Sequence, residues 1–242
     1  MCIRDRDVLV VADFTNTTGD PIFDGTLRAA LTTQLELSPF LKILDDLQVQ
    51  RDLKRMGRAP DTRVTNAIAH DICIREGQKA MVGGSIADLG RAFAITLQAV
   101  NCRNGATLAR EQVQAEGRDQ VLNALAEAAA GIRVKLGEPA TSLQNDRRSA
   151  RSATGSLAAS QFYAMGIAQR NRGNDLASIP FFQHAIELDP NFALAYLALG
   201  RAKAIAGEAA QAKKAYQDFF AKNAGAASPG LTQAQNEFAA LR

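Results

Sequence analysis

Tryptophan is absent from this 242-residue chain, and histidine and tyrosine are scarce, with two and three residues. No apolar run approaches the roughly 20 residues that span a bilayer, so we expect no part of this chain to insert into a membrane. The 28 basic residues nearly balance the 25 acidic ones. Nucleic-acid-binding proteins instead cluster Lys and Arg on one face and often stack bases on aromatic rings. The composition therefore argues against a nucleic-acid partner.

Cysteine is also scarce, and one of the three cysteines lies in Met1–Arg6, a segment that fits no cap, strand or targeting pattern. We interpret this segment as translated sequencing-adapter read-through and expect the natural protein to continue upstream of Asp7. Cys73 and Cys102 form neither a CxxC motif nor a four-ligand zinc set. We predict two buried thiols, because Cys is among the most buried residue types. A disulfide between them is the alternative in an oxidising compartment.

Residues 7–137 have the pattern of an α/β domain. The β-branched run DVLVVADF from Asp7 predicts a buried strand. Apolar residues every four positions from Phe23 to Leu35 predict a helix, which Ser38-Pro39 ends. The pattern then predicts one more strand and two helices, at Leu41–Leu44, Asp46–Met56 and Thr65–Glu76.

Beyond Gly77 the apolar period changes to two, which is typical of strands. Asn104-Gly105 is a strong hairpin signal, so we expect an antiparallel meander here. A helix with an apolar face, Arg118–Leu136, is expected to cover the sheet. The predicted fold of residues 7–137 is therefore α/β, a mixed sheet with an antiparallel meander whose strands are Lys79–Asp88, Ala92–Cys102 and Thr107–Ala115.

The stretch from Gly137 to Ser156 is rich in Ser, Thr, Arg and Pro and has no apolar periodicity. We predict a linker over residues 138–156. Its basic residues, Arg147, Arg148 and Arg151, either contact phosphate or an acidic partner or are simply solvated, and we favour solvation because the run is short.

Residues 159–220 contain an internal repeat with an offset of 34 residues. This period is typical of the tetratricopeptide repeat, a pair of antiparallel helices. We therefore predict an all-α helical repeat unit over 157–242, closed by a capping helix at Leu231–Leu241. The residues related by the offset are Phe162 and Tyr196, Met165 and Leu199, Gly166 and Gly200, Gly173 and Gly207, Ser178 and Ala212, and Phe182 and Tyr216.

The segments VLVVADFTNTTGDPIFDGTLRAALTTQLELSPFLKIL and AHDICIREGQKAMVGGSIADLGRAFAITLQAVNCRNGATLARE resemble the TolB N-terminal-like (FlgO/CsgG-related) domain. Together with the repeat, which contains AIELDPNFALAYLALG and AYQDFFAKN, they are similar to the C-terminal region of acidobacterial receptor-type serine/threonine protein kinases. The resemblance implies a longer parent with a cytoplasmic kinase and one membrane helix. This portion would then lie at the extracytoplasmic face of the inner membrane. The chain itself has no kinase motif.

Three short motifs resemble sites of chemistry. Gly83–Ala87 approaches the GxSxG nucleophile elbow, but Ala87 replaces the last glycine and a strand is expected to follow. His70 and Cys73 lie three residues apart on a predicted helix, yet no further ligand is near, so we expect structural burial. The Thr15–Asp20 loop is placed to bind an anion through backbone N–H groups, but helix capping is the favoured interpretation.

We therefore predict no catalytic, cofactor or metal site in this chain. The predicted function is a non-catalytic interaction or sensor module that binds a protein or peptide in the groove of the repeat. In the family pattern that groove is faced by Tyr163, Arg170, Asn191 and Arg201. The alternative is a receptor for a small molecule or a cell-envelope component, which would use the α/β domain.

Overall fold

The computed structural model describes residues 8–143, 154–223 and 229–241. It divides into two compact units, one ending at Leu143 and one formed by the rest of the chain. Met1–Arg6 and the basic residues of the predicted linker, Arg147, Arg148 and Arg151, lie outside the described residues. Within the described ranges, no helix is long and apolar enough to cross a membrane. The predicted fold class, α/β followed by helical repeats, is confirmed.

The first unit is built on a mixed six-stranded sheet with the order β3-β1-β4-β5-β6, in which β2 pairs with β4. Strand β1 runs parallel to β3 and β4. The last three strands form the predicted antiparallel meander. The six strands are β1 (Val8–Val11), β2 (Thr15–Asn16), β3 (Lys42–Ile43), β4 (Ala80–Asp88), β5 (Phe93–Asn101) and β6 (Thr107–Ala115).

Four helices cover the sheet unequally. The longest, α4, contacts β5, β6 and α1 on one face. On the other face α2 and α3 enclose a core with the β1 residue Val10 and the β4 residue Met81. Strand β5 alternates accordingly, because Ile95 and Leu97 are fully buried whereas Thr96 is only half-buried. The helices are α1 (Thr26–Glu36), α2 (Asp46–Arg55), α3 (Asn66–Arg75) and α4 (Val121–Lys135).

Two local details differ from the predicted pattern. Thr15–Asn16, predicted as loop, is the short strand β2, since it pairs in parallel with Ser85 and Ile86. The strand predicted to reach Cys102 ends at Asn101, where the Asn101 N–H donates to the carbonyl of Ala106 at 2.8 Å. This hydrogen bond closes a loop between β5 and β6 that is longer than a two-residue hairpin turn.

Cys73 and Cys102 are joined by a disulfide, with Cα atoms 6.1 Å apart. The prediction of two buried thiols is therefore wrong in its pairing, although both residues are buried as expected. Parallel pairing of β1 with β4 lays α3 across the sheet, so that the last turn of α3 reaches the end of β5. The bond closes a loop with a sequence separation of 29 residues, and such loops gain about 3–4 kcal/mol of stability in the chain-entropy model.

The chain directly after α4 is packed onto the first unit. Glu138, placed by the sequence pattern in the solvated linker, is only 4% exposed. Its carboxylate accepts two hydrogen bonds from the Arg133 guanidinium, at 2.9 and 2.6 Å. Hydroxyl groups of Ser38 and Ser142 donate to the same carboxylate. Glu138 therefore ties the ends of α1 and α4 together, and polar composition alone did not reveal this buried role.

The second unit consists of helices that pack as antiparallel pairs in chain order. Pro180 lies within the second of them, and Gly173 and Gly207 adopt positive φ in the turns that end the first helix of each pair. Alanine and glycine at the helix contacts allow close packing. In the part of this unit that the structure describes, the helices are α5 (Leu157–Asn171), α6 (Asp175–Leu188), α7 (Ala193–Ile205), α8 (Ala209–Lys222) and α9 (Pro229–Ala240).

The disulfide predicts the outcome of a thiol titration. Protein that is prepared without reductant and then denatured is expected to expose one reactive thiol per chain, that of Cys2, because the other two sulfur atoms are bonded. Reduction before the titration should raise the count to three. Three reactive thiols without reduction would contradict the pairing.

The buried ion pair predicts a large cost for Glu138→Gln. The substitution removes the carboxylate charge from the buried Arg133 guanidinium, so the free energy of unfolding should fall by about 3 kcal/mol, measured by calorimetry at neutral pH. The matched control is Glu111→Gln, because the partner of Glu111, Lys135, is half-exposed. That loss should be below about 1 kcal/mol.

The same pair predicts a pH dependence. Burial raises the pKa of Glu138, but hydrogen bonds from Arg133, Ser38 and Ser142 outweigh it and lower the pKa below its ordinary value. The contribution of the carboxylate is then fully present above the ordinary carboxyl pKa and is lost as the pH falls through the lowered one. The difference in stability between the wild type and Glu138→Gln should therefore shrink on acidification, and a constant difference would contradict this assignment.

Candidate partner-binding site

Each helix pair of the second unit is held by a glycine that faces an aromatic ring. In the first pair, a Cβ built on Gly166 would lie 2.5 Å from the ring of Phe182. In the second pair, a Cβ on Gly200 would lie 3.0 Å from the ring of Tyr216. The two arrangements are related by the 34-residue offset. The glycines therefore let α5 approach α6, and α7 approach α8.

The two pairs are joined through α6 and α7. Ile179 and Phe182 from α6 contact Ala198 and Ala202 from α7. Phe192, just before α7, lies in a neighbouring cluster with Ala159 and Ala185. Because the α7 side of this contact consists largely of alanine, α6 and α7 pack closely. The two pairs are thus two successive repeats, whose first helices are α5 and α7.

The last helix, α9, covers the apolar face of the second pair. Ala234 is buried against Leu197 and Phe219, and Phe238 packs in the same cluster. The ring of Phe238 meets the ring of Phe220 edge to face at 5.6 Å. This apolar contact closes the end of the repeat.

A polar network fixes α9 at the same place. The guanidinium of Arg201 on α7 donates two hydrogen bonds to the carboxylate of Glu237, at 2.8 and 3.0 Å. The hydroxyl of Tyr216 on α8 donates to this carboxylate at 2.9 Å, and the amide of Gln233 does so as well. One acidic side chain of α9 therefore binds to both helices of the second pair.

The network shifts the ionisation of its members. Burial, together with the hydrogen bond to the Glu237 carboxylate, raises the pKa of Tyr216 to about 12. Burial acts to raise the pKa of Glu237, but hydrogen bonding and the charge of Arg201 reverse this and lower it. Glu237 is thus an anion and Tyr216 a neutral donor over the whole physiological range.

The four residues predicted to face the groove have different environments. Tyr163 is half-buried, and its ring lies 5.0 Å from that of Phe192 and 5.8 Å from that of Phe182. Arg170 pairs with Asp175 at 3.3 Å. Asn191 is exposed, and Arg201 is held by Glu237.

Asn191 alone of the four is exposed, and the other three are half-buried. Arg201 and Tyr163 lie near one another. Glu237 and Tyr216, which determine the position of Arg201, were not among the predicted residues. The role of the four residues in binding a partner stays a prediction.

The other sequence motifs have structural roles. Gly83–Ala87 lies inside β4, without the strand-to-helix turn that a nucleophile elbow needs. Cys73 is bonded to Cys102, so His70 and Cys73 do not form a metal site. Asp20, in the Thr15–Asp20 loop, accepts a hydrogen bond from the Ile22 N–H and caps a short 3₁₀ turn. Among the described residues, no group of three or more His, Cys, Asp or Glu side chains is placed to hold a metal ion.

Comparison with known families supports the repeat. Residues 181–214 match the family model of the tetratricopeptide repeat. The matched stretch has the length of one predicted period, and it runs from α6 through α7 into α8. A search among curated proteins gives no match to the chain.

Several solved structures are similar to part of the chain. The LpoB C-terminal domain from Salmonella enterica is 16% identical, with a TM-score of 0.43, over 48% of this chain and 86% of that one. For TolB from Acinetobacter baumannii the identity is 14%, the TM-score 0.37 and the coverage 56% and 30%. For lipoprotein GNA1162 from Neisseria meningitidis the values are 15%, 0.39, 55% and 99%.

The glycine contacts predict a difference between two equivalent substitutions. Alanine gains up to about 1 kcal/mol over glycine inside a helix, but at position 166 its Cβ collides with the buried ring of Phe182. We expect Gly166→Ala to lower the free energy of unfolding by about 1–2 kcal/mol, because overpacking costs about 1–3 kcal/mol. Gly200→Ala should be nearly neutral, since the contact with Tyr216 is looser.

Urea unfolding followed by tyrosine fluorescence measures the free energy of unfolding of both variants. The chain has no tryptophan, and its three tyrosines, at 163, 196 and 216, all lie in the second unit. The signal therefore reports on the repeat without interference from the sheet. Equal stability of the two variants would contradict the difference in helix spacing.

Proposed function

We propose that the chain is a protein-interaction module that binds a peptide or protein segment along the first helices of its repeat, α5 and α7. The main support is the tetratricopeptide match over residues 181–214 together with the two glycine-based helix pairs. Arrays of this kind present their first helices along a concave surface that receives partner segments. No catalytic role is assigned to the chain.

Within this proposal, the four groove residues have unequal roles. Asn191 is exposed and is free to hydrogen-bond a partner backbone through both ends of its amide. Arg170 is partly exposed, and it can exchange its contact with Asp175 for a partner carboxylate. Tyr163 and Arg201 are held by aromatic packing and by Glu237, so they would act as a preformed wall. Such preorganisation reduces the entropy lost on binding.

We also propose that the module works outside the cytoplasmic membrane, as part of a longer receptor-type serine/threonine kinase. The disulfide supports the compartment, since such bonds persist mainly in oxidising surroundings. The kinase rests on the sequence resemblance alone. An intact reading frame upstream of Asp7 tests it, because a membrane helix preceded by kinase motifs is expected, and a different upstream domain would refute this parentage.

Peptide selection tests the proposed groove. A phage library of random peptides would be selected against the full chain, and individual peptides would then be measured by fluorescence anisotropy. We expect Asn191→Ala and Arg170→Ala each to weaken binding about fivefold, the loss expected for one hydrogen bond of about 1 kcal/mol.

The matched control is Lys214→Ala, which removes an exposed cation from α8, the second helix of its pair. It should leave peptide affinity unchanged. Unchanged tyrosine fluorescence would show that the groove variants keep the repeat folded. Peptides that bind all variants equally, or a selection that yields none, would refute the groove as the binding surface.

A further inference from the structure

The open part of the sheet in the first unit contains a pocket. Helix α3 packs over β1 and β4 on this face, and the adjoining side of β5 remains half-buried. Between α3 and β5 lies a pocket of about 390 Å³, open to solvent. Its volume falls within the range of small-molecule sites, about 300–1,000 Å³.

Glycine in β4 lets one wall of this pocket pack closely against the strand. A Cβ built on Gly83 would lie 2.3 Å from Oδ1 of Asn66, so the Asn66 side chain lies against the bare backbone of the strand. Any larger residue at position 83 would displace Asn66. One turn after His70, Cys73 is bonded to Cys102, and this disulfide holds the last turn of α3 to the residue that follows β5. The two walls of the pocket are therefore covalently joined at one end.

The pocket is lined by hydrogen-bonding groups that the protein itself does not use. Asn66 and His70 project from α3, and Ser85 and Thr96 come from paired positions on β4 and β5. In the described part of the chain, the side chains of these four residues have no hydrogen-bond partner. Hydroxyl, amide and imidazole groups both donate and accept hydrogen bonds. They can therefore bind a ligand whose own groups do both.

The lining also excludes several ligand classes. It contains no Asp, Glu, Lys or Arg. Phosphates and carboxylates are usually bound by Arg or Lys, and metal ions by carboxylates or clustered histidines. Met81 and Val100 supply an apolar surface beside the polar groups. A ligand with hydroxyl groups at its rim and C–H groups on its face matches both parts.

We propose that this pocket binds a neutral saccharide, with Asn66, His70, Ser85 and Thr96 contacting its hydroxyl groups and Met81 and Val100 contacting its C–H face. A saccharide has both donor and acceptor hydroxyls, no charge and an apolar ring face, and a mono- or disaccharide unit fits the space. The site is separate from the repeat groove, so it adds a second binding activity in the α/β unit.

Nuclear magnetic resonance of the full, ¹⁵N-labelled chain tests this proposal. Glucose, N-acetylglucosamine and maltose would be added at millimolar concentration, with glucuronate and glucose 6-phosphate as charged counterparts. At least one neutral sugar is expected to shift the amide signals of Gly83, Ser85 and Thr96 in a saturable way. The charged sugars should bind more weakly, because the lining has no cation to neutralise them.

Two substitutions test the assigned contacts. Thr96→Val keeps the shape of the side chain and removes its hydroxyl, and Ser85→Ala removes the neighbouring one. Each substitution should lower the affinity for the sugar about fivefold. The control is Gln112→Val, since Gln112 lies exposed on β6 opposite Thr96 and outside the pocket, and it should leave affinity unchanged.

Three outcomes would overturn the proposal. The first is that no sugar shifts the amide signals of the pocket. The second is that charged sugars bind as well as neutral ones. The third is that Gln112→Val weakens binding as much as Thr96→Val and Ser85→Ala do. Peptide binding to the repeat is measured separately by anisotropy. Failure of the saccharide site and failure of the groove are therefore distinguishable.

Discussion

The unequal covering of the sheet is the constraint on which the first unit depends. One face is sealed by α4, whose Val121, Leu125 and Ile132 are fully buried. On the other face, the core under α2 and α3 is centred on β1 and β4. The sealed face supplies the apolar burial that drives folding. The partly open face leaves the side chains of Ser85 on β4 and Thr96 on β5 at the pocket, where neither has a hydrogen-bond partner among the described residues.

Two long-range links hold this asymmetric arrangement together. The disulfide joins the end of α3 to the end of β5, at the edge where helix cover stops. On the sealed face, Glu138 joins α4 to the chain that follows α1, through Arg133 and Ser38. Each link lies where a helix ends and its terminal groups would otherwise be exposed or unsatisfied. The open face can therefore stay open without loosening the helices beside it.

Periodic features were predictable from the sequence, and single tertiary contacts were not. The alternation of apolar and polar residues in β5 and the 34-residue offset can be read directly along the chain. The meander and the repeat are therefore predictable from the sequence. Glu138 looked like part of a polar linker, because nothing local shows that Arg133 and Ser38 converge on it. The pairing of Cys73 with Cys102 likewise depends on which strands are neighbours. The short strand β2 was missed because two polar residues have no period.

The environment of the groove residues also depends on tertiary contacts that consecutive residues do not show. Arg201 stands at a groove position by repeat pattern, yet its guanidinium donates two hydrogen bonds to Glu237 on α9. The hydroxyl of Tyr216 on α8 donates a further hydrogen bond to the same Glu237 carboxylate. A cation that is satisfied in this way contributes shape and a fixed dipole to the surface more than free charge. Recognition along α5 and α7 should then depend on hydrogen bonding by Asn191 and on the partly exposed Arg170, and it should be less sensitive to salt than binding by unpaired cations would be.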